Sequence, residues 1–300
     1  MLVRISSLFL RSPIPCRIRI WIYNSWILPS LGWRKDLRLV SASALGIKFH
    51  THLANFIENK LAFFGIWEPH ITHIFKTNLK TRDVAVDAGA NIGYYSLLAS
   101  KLVGPTGRVF AIEPASQTRS RLLQNISLNQ IKNISVFTCG AWDRSDNATI
   151  YSHPGNDECA SLIQGNDDTG IQYDKENIEL ARLDEMIPDE YHHAIKLLKI
   201  DVEGADFRAL LGAESILKKS DDIVVLCEIV PHQLEKFEDS RDDIFEFMDS
   251  LGFEGTSIKN GCTPEFLLSN VTDDLVQTKE IDGEPTDFLF HKRSGSSVSN

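Results

Sequence analysis

The stretch VAVDAGANIGYYSLLASKL, residues 84–102, decides the fold. VAVDAG (84–89) reads as a buried strand ending in a glycine turn, and NIGYYSLLASKL (91–102) reads as a helix stopped by Gly104-Pro105. Working outward, RVFAIEP (108–114) is a second strand closed by proline, a helix covers about 116–129, and ISVFTCGA (134–141) is a third strand. Downstream, IKLLKIDVEG (195–204) and DIVVLCEIVP (222–231) are strands, with helices expected over 205–219 and 232–251. GFEGTSI (252–258) and PTDFLFHK (285–292) close the chain as two strands without a helical crossover, which predicts an antiparallel pair. Such alternation predicts an α/β fold: a mostly parallel sheet with antiparallel closing strands and helices on both faces.

The rest of the chain frames this domain. Residues 83–292 form it, 36–82 read as a helical lead-in with helices over 51–64 and 67–80, and 293–300 read as a disordered polar tail. The interval Asp143–Pro188 interrupts the alternation, with strand candidates ATIYS (148–152) and NIELAR (177–182) around a Gly/Asn/Asp-rich stretch. Its place beside the strand ends predicts a cover. Residues 1–35 form a segment of their own, with six basic side chains and no acidic one. The net charge is −10 overall and −16 once those six are set aside. Arginines break every window long enough to span a bilayer, so no transmembrane helix is expected. Three readings stay open: an arm packed on the domain, a peripheral membrane contact through Trp21, Trp26 and Trp33, or a transit peptide. The acidic balance predicts no nucleic-acid partner. Five scattered cysteines without a CxxC predict a reducing, cytoplasmic setting, membrane-associated if the arm binds lipid, and no metal site. No oligomeric state follows.

In a doubly wound sheet, ligands bind beyond the carboxyl ends of the strands. The first strand ends in Asp87, Gly89, Asn91 and Gly93, which is not the GxGxxG that holds a pyrophosphate, and Asp87 would repel one. Glu113 ends the second strand, where a carboxylate can accept both hydroxyls of a ribose. Ala141 lies among small residues able to flank an adenine. A cationic nucleoside fits both features: S-adenosylmethionine has that character and NAD lacks it. Asp201 and Glu203 end the fourth strand, where they can face an acceptor, and Glu228 interrupts an otherwise apolar run in the fifth. His232 follows with an imidazole, a side chain able to move protons near neutral pH. These four are the candidate catalytic residues. His70, His73 and the pair His192-His193 read as packing, surface or loop residues.

Taken together, DAGANIGYYSLLASKLVGPTGRVFAIEP, LLQNISLN and KIDVEGADFRALLGA resemble the FkbM family of S-adenosylmethionine-dependent methyltransferases, from about Trp67-Glu68-Pro69 to the closing strand. Ala88 stands where Val is usual and Asp206 where Glu is usual. The resemblance implies a class I, Rossmann-like sheet of seven strands and cofactor contacts at Asp87, Gly89, Asn91, Gly93 and Glu113. It also implies methylation of a hydroxyl on a small-molecule or glycan acceptor: a sugar, glycan or secondary metabolite. The competing classes are an NAD-dependent oxidoreductase and a non-catalytic, membrane-associated protein with a degenerate domain.

Overall fold

The computed structural model describes residues 16–27, 38–43, 45–153, 156–162, 173–258, 267, 277–278 and 286–293. The polar tail, Trp33 and much of the Gly/Asn/Asp-rich stretch lie outside them. A hairpin of β1 (Arg38–Ala42) and β2 (Lys48–His52) precedes the helices Phe56–Phe64 and Pro69–Asn78, so the lead-in is helical only in its second half. The central sheet begins with β3 (Val84–Ala88), β4 (Arg108–Ile112) and β5 (Ile134–Phe137). A second sheet follows, made of β6 (Gly140–Ala141), β7 (Asp146–His153), β8 (Asn156–Ser161) and β9 (Asp174–Ala181). The central sheet resumes with β10 (Ile195–Ile200), β11 (Val224–Ile229), β12 (Phe253–Ile258), the two-residue β13 (Gln277–Thr278) and β14 (Thr286–Lys292).

Across the central sheet the order is β5, β4, β3, β10, β11, β14, β12, with β13 pairing at the far edge of β12. The five strands from β5 to β11 are parallel, and β14 and β12 are antiparallel to their neighbours. This is the expected class I, Rossmann-like sheet of seven strands. Its winding reverses between β3 and β10, which opens the crevice at their carboxyl ends.

Alternation along the strands sorts side chains to two faces. Val84, Val86 and Ala88 join the core beneath the helices Asp206–Leu211, Glu214–Lys219 and Arg241–Ser250. Ala85, Leu197, Leu226 and Leu289 join the opposite core, under Pro69–Asn78, Tyr94–Val103 and Ser116–Leu128. Position i+2 shares a face with i, so Asp87, Lys199, Glu228 and Asp287 all fall on this second face, at the end of the strands nearest the crevice.

Two expected helices are broken. The 205–219 helix divides at Gly212, where a Cβ would stand 2.0 Å from the Trp142 carbonyl oxygen. The 232–251 helix divides at the left-handed Glu238, after which Ser240 starts Arg241–Ser250 with a reciprocal capping box to Asp243. At the N-terminus, the helix Cys16–Ile22 and the turn Tyr23–Ile27 bury Tyr23 and Ile27 in a cluster with Phe63 and Phe64. Trp21 and Trp26 face outward, 58% and 68% exposed. Among the described residues no helix is long and apolar enough to cross a membrane.

Candidate active site

The β3 turn closes by backbone bonds. Gly89 and Ala90 N–H both donate to the Ile112 carbonyl, at 3.1 and 2.9 Å. Gly89 has φ +84 and a Cβ there would lie 1.8 Å from the Asp201 carbonyl oxygen, so only glycine lets β3 turn against the end of β10. Glu113 then ties the turn to β4: its carboxylate accepts from Asn91 N–H (2.8 Å) and from Ala115 N–H (2.9 Å). Burial lifts its carboxyl to about 7, against the pull of those donors.

The β10 end is stapled in the same manner. Fully buried Asp206 accepts from Val202 and Gly204 N–H, both at 3.0 Å, which fixes Glu203 in a left-handed turn at φ 56. Burial raises Asp206 to about 7, although the two donors oppose the shift.

A cavity of about 570 Å³ lies over these strand ends, and its lining brings together Gly89, Asn91, Glu113 and Ala141 with Asp201, Glu203, Glu228 and His232. Asp87 and Gly93 are not part of that lining. Asp87 is buried behind it, accepting from Ser96 Oγ at 2.5 Å, and its Oδ1 has no hydrogen-bond partner. Burial raises its pKa, with Lys199 and Ser96 pulling the other way. Gly93, at φ +91, gives way to Leu122, whose Cδ1 would be 2.4 Å from an added Cβ.

Among the lining residues that the sequence does not place at the site are Glu68, Tyr95 and Lys199. Lys199 Nζ donates to Asp201 Oδ2 at 2.7 Å and lies 5.1 Å from the Tyr95 ring centre. Burial works against its ammonium, yet Asp201 and Asp87 keep its pKa above the ordinary lysine value. Tyr95 O–H donates to Glu68 Oε2 at 2.6 Å. Burial, followed by repulsion from Asp287, lifts Glu68 to about 8. Glu228, opposite Asp287 in the β11–β14 register, is held well above the carboxylate range by Asp201, then by burial and Asp287.

The second sheet covers this cavity as expected, through Ile150 and Ala160 of β7 and β8 and Ile178 and Leu180 of β9. It has four strands where the sequence suggested two. Among the described residues no cluster of three or more metal-ligating side chains occurs.

A mostly parallel sheet of this winding, with Glu113 just past its second strand and carboxylates lining its crevice, is that of a class I methyltransferase, which uses S-adenosylmethionine. The residues fit that cofactor: Glu113 keeps a lone pair on each oxygen for hydroxyl donors, and the acidic wall suits a cationic ligand. The chain belongs to the FkbM methyltransferases: the Methyltransferase FkbM domain matches residues 87–254. That membership sets aside the oxidoreductase and the degenerate, non-catalytic protein.

Methyltransferase sdnD of Sordaria araneosa is 27% identical over 184 residues, covering 53% of this chain and 70% of that protein. Methyltransferase 1 of Beauveria bassiana is 26% identical over 145 residues, 43% of this chain and 57% of that one. The AMB antimetabolite synthetase AmbE of Pseudomonas aeruginosa is 28% identical over 176 residues, which are 47% of this chain and 8% of the synthetase. Similar solved structures include an rRNA methylase of Streptococcus thermophilus, with 13% identity, TM-score 0.43, and 74% and 93% of the two chains covered. SMU.1697c of Streptococcus mutans, in complex with SAH, has 12% identity and TM-score 0.45, with 76% and 99% covered. The expectation that nucleic acid is excluded as a partner is thereby overturned, since one of these structures is itself an rRNA methylase. Net charge sums over a whole surface and says nothing of local cation clusters.

Proposed function

We propose that the protein transfers a methyl group to a hydroxyl of a small acceptor: a sugar, glycan or secondary metabolite. The observation that carries this reading is the pair Asp201 and Glu228, which meet in one cavity with Lys199 under an apolar cover. S-adenosylmethionine supplies an already activated methyl, so the protein's task is alignment, exclusion of water and removal of the hydroxyl proton. The charge of Asp201 makes Glu228 hold a proton more tightly than an ordinary carboxylate does, which suits Glu228 to accept the hydroxyl proton. Lys199 keeps Asp201 in place, and Glu203 with the exposed His232 passes the proton to solvent. Glu113, Asn91, Gly89 and Ala141 hold the nucleoside, while Asp87 positions the turn through Ser96. The similarity to an antimetabolite synthetase supports a small metabolite as acceptor.

The test is incubation with methyl-labelled S-adenosylmethionine and fractionated hydroxylated metabolites, followed by isolation of the labelled product. A methyl ether is the expected result. Label found only on nitrogen, sulfur or carbon rules out the hydroxyl acceptor.

A further inference from the structure

The rim of the sheet opposite the crevice holds a second cavity, of about 940 Å³. It is built where the parallel strands begin: Arg82 just before β3, Arg108 at the start of β4, and Lys132 just before β5. Lys101, in the last turn of the helix Tyr94–Val103, adds a fourth cation, and Glu190 is the one carboxylate in the lining. Among the described residues none of the four cations meets a carboxylate at ion-pair distance, whereas Arg208, Lys199 and Arg121 all do. Lys101 donates to the Leu45 carbonyl, but in a chain of −10 net charge four cations without a carboxylate partner around one hollow stand out.

A structural role is too small to account for them. The helices Tyr94–Val103 and Ser116–Leu128 both end at this rim, and each helix end carries roughly half a negative charge. Together with Glu190 that offsets about two of the four positive charges and leaves an anion-attracting excess. The hollow also has an organic side: Ile47, Leu97 and Ile131 line it, and Tyr191 stands there edge-on to Phe110. Its volume falls within the range of small-molecule sites, roughly 300–1,000 Å³.

We propose that this rim is a second ligand site, taking a small molecule that carries a diphosphate. Arginine forks engage phosphate oxygens in pairs, and the two lysines add point charges. A diphosphate concentrates several negative charges on a short chain and leaves one end free for an organic group against Ile131 and Tyr191. No catalytic step is assigned to it, because every carboxylate of the methyl-transfer cavity lies at the other end of the strands.

The test is calorimetry on the full chain with excess S-adenosylhomocysteine present to fill the crevice, titrating inorganic pyrophosphate, ADP and adenosine separately. Saturable 1:1 binding of pyrophosphate or ADP, without binding of adenosine, is expected. ADP binding more tightly than pyrophosphate marks an organic diphosphate as the occupant, and equal affinities mark the inorganic ion. The double variant Arg82→Glu/Lys132→Glu should lose at least about tenfold in diphosphate affinity yet bind S-adenosylhomocysteine as the parent does. Arg108→Gln is a milder second variant with the same expected direction. Absence of saturable binding by either diphosphate, or unchanged affinity in folded variants, overturns the proposal.

Discussion

The two rims of the central sheet carry opposite charge. At the carboxyl rim, Asp201, Asp87 and Glu68 gather round one buried lysine, and Glu228 and Asp201 line the cavity under an apolar cover. At the amino rim, Arg82, Arg108, Lys101 and Lys132 stand open to solvent or nearly so, with one carboxylate among them. Chain direction produces the segregation. In parallel strands, a residue that precedes a strand and one that follows it are delivered to opposite edges, so their order in sequence becomes a separation in space. Asp87 and Glu228 near the ends of their strands, and Glu113 and Asp201 just past theirs, are legible on that rule alone.

The largest effect should come from breaking the carboxyl rim's backbone. Gly89→Ala forces a Cβ into the Asp201 carbonyl at a left-handed φ. It should destabilise the fold by about 3 kcal/mol or more and abolish S-adenosylhomocysteine binding, as read by denaturant titration and calorimetry. Asp201→Asn comes next: turnover should fall by about 10²–10⁴ with cofactor affinity nearly unchanged, since the loss is confined to proton transfer. Parent-like turnover in that variant would remove Asp201 from the mechanism.

A third test uses pH. If Glu113 holds the ribose as proposed, it can accept on both oxygens only when ionised, and burial lifts its carboxyl to about 7 in the free protein. Cofactor affinity should therefore rise by up to about tenfold per pH unit below that value and level off above it. The apo protein should show the opposite trend. Glu113, Glu68 and Asp206 are raised in the fold to about 7, 8 and 7, so the native state binds more protons than the unfolded chain above the ordinary carboxylate range. Stability should decline as pH climbs from about 5 to about 8, and a thermal melt series without cofactor checks the sign. The smallest effect belongs to the amino rim: Arg82→Gln should leave methyl transfer unchanged and alter stability by less than about 0.5 kcal/mol. A large loss of turnover there would mean that the two rims are coupled.

Strand order, the glycine turn and the strand-end carboxylates were readable because each depends on local spacing. Lys199 is legible by the same rule as Glu228, a charge inside an apolar run. Glu68 is not: it reaches the cavity from a left-handed position before Pro69, and only the packing of that helix on Tyr95 brings it in. The hairpin β1–β2 and the strand β8 are not legible in the sequence because each strand is only five or six residues long, and pairing with a neighbour stabilises them more than their own pattern does. Asp87 shows the limit of strand-end reasoning. Its alternation places it on the correct face, but whether it lines the cavity or stands behind it depends on Ser96 of the next helix.

Glu113 is the proposed anchor of the nucleoside. The direct measurement is calorimetric titration of S-adenosylhomocysteine into the parent protein and Glu113→Gln across pH 6 to 8. An amide in that place turns one edge into a donor facing the N–H of Asn91 or Ala115. The predicted result is a loss of about tenfold to a hundredfold at pH 8, with the pH dependence gone. Equal affinity and an unchanged pH profile in the two proteins would contradict the account.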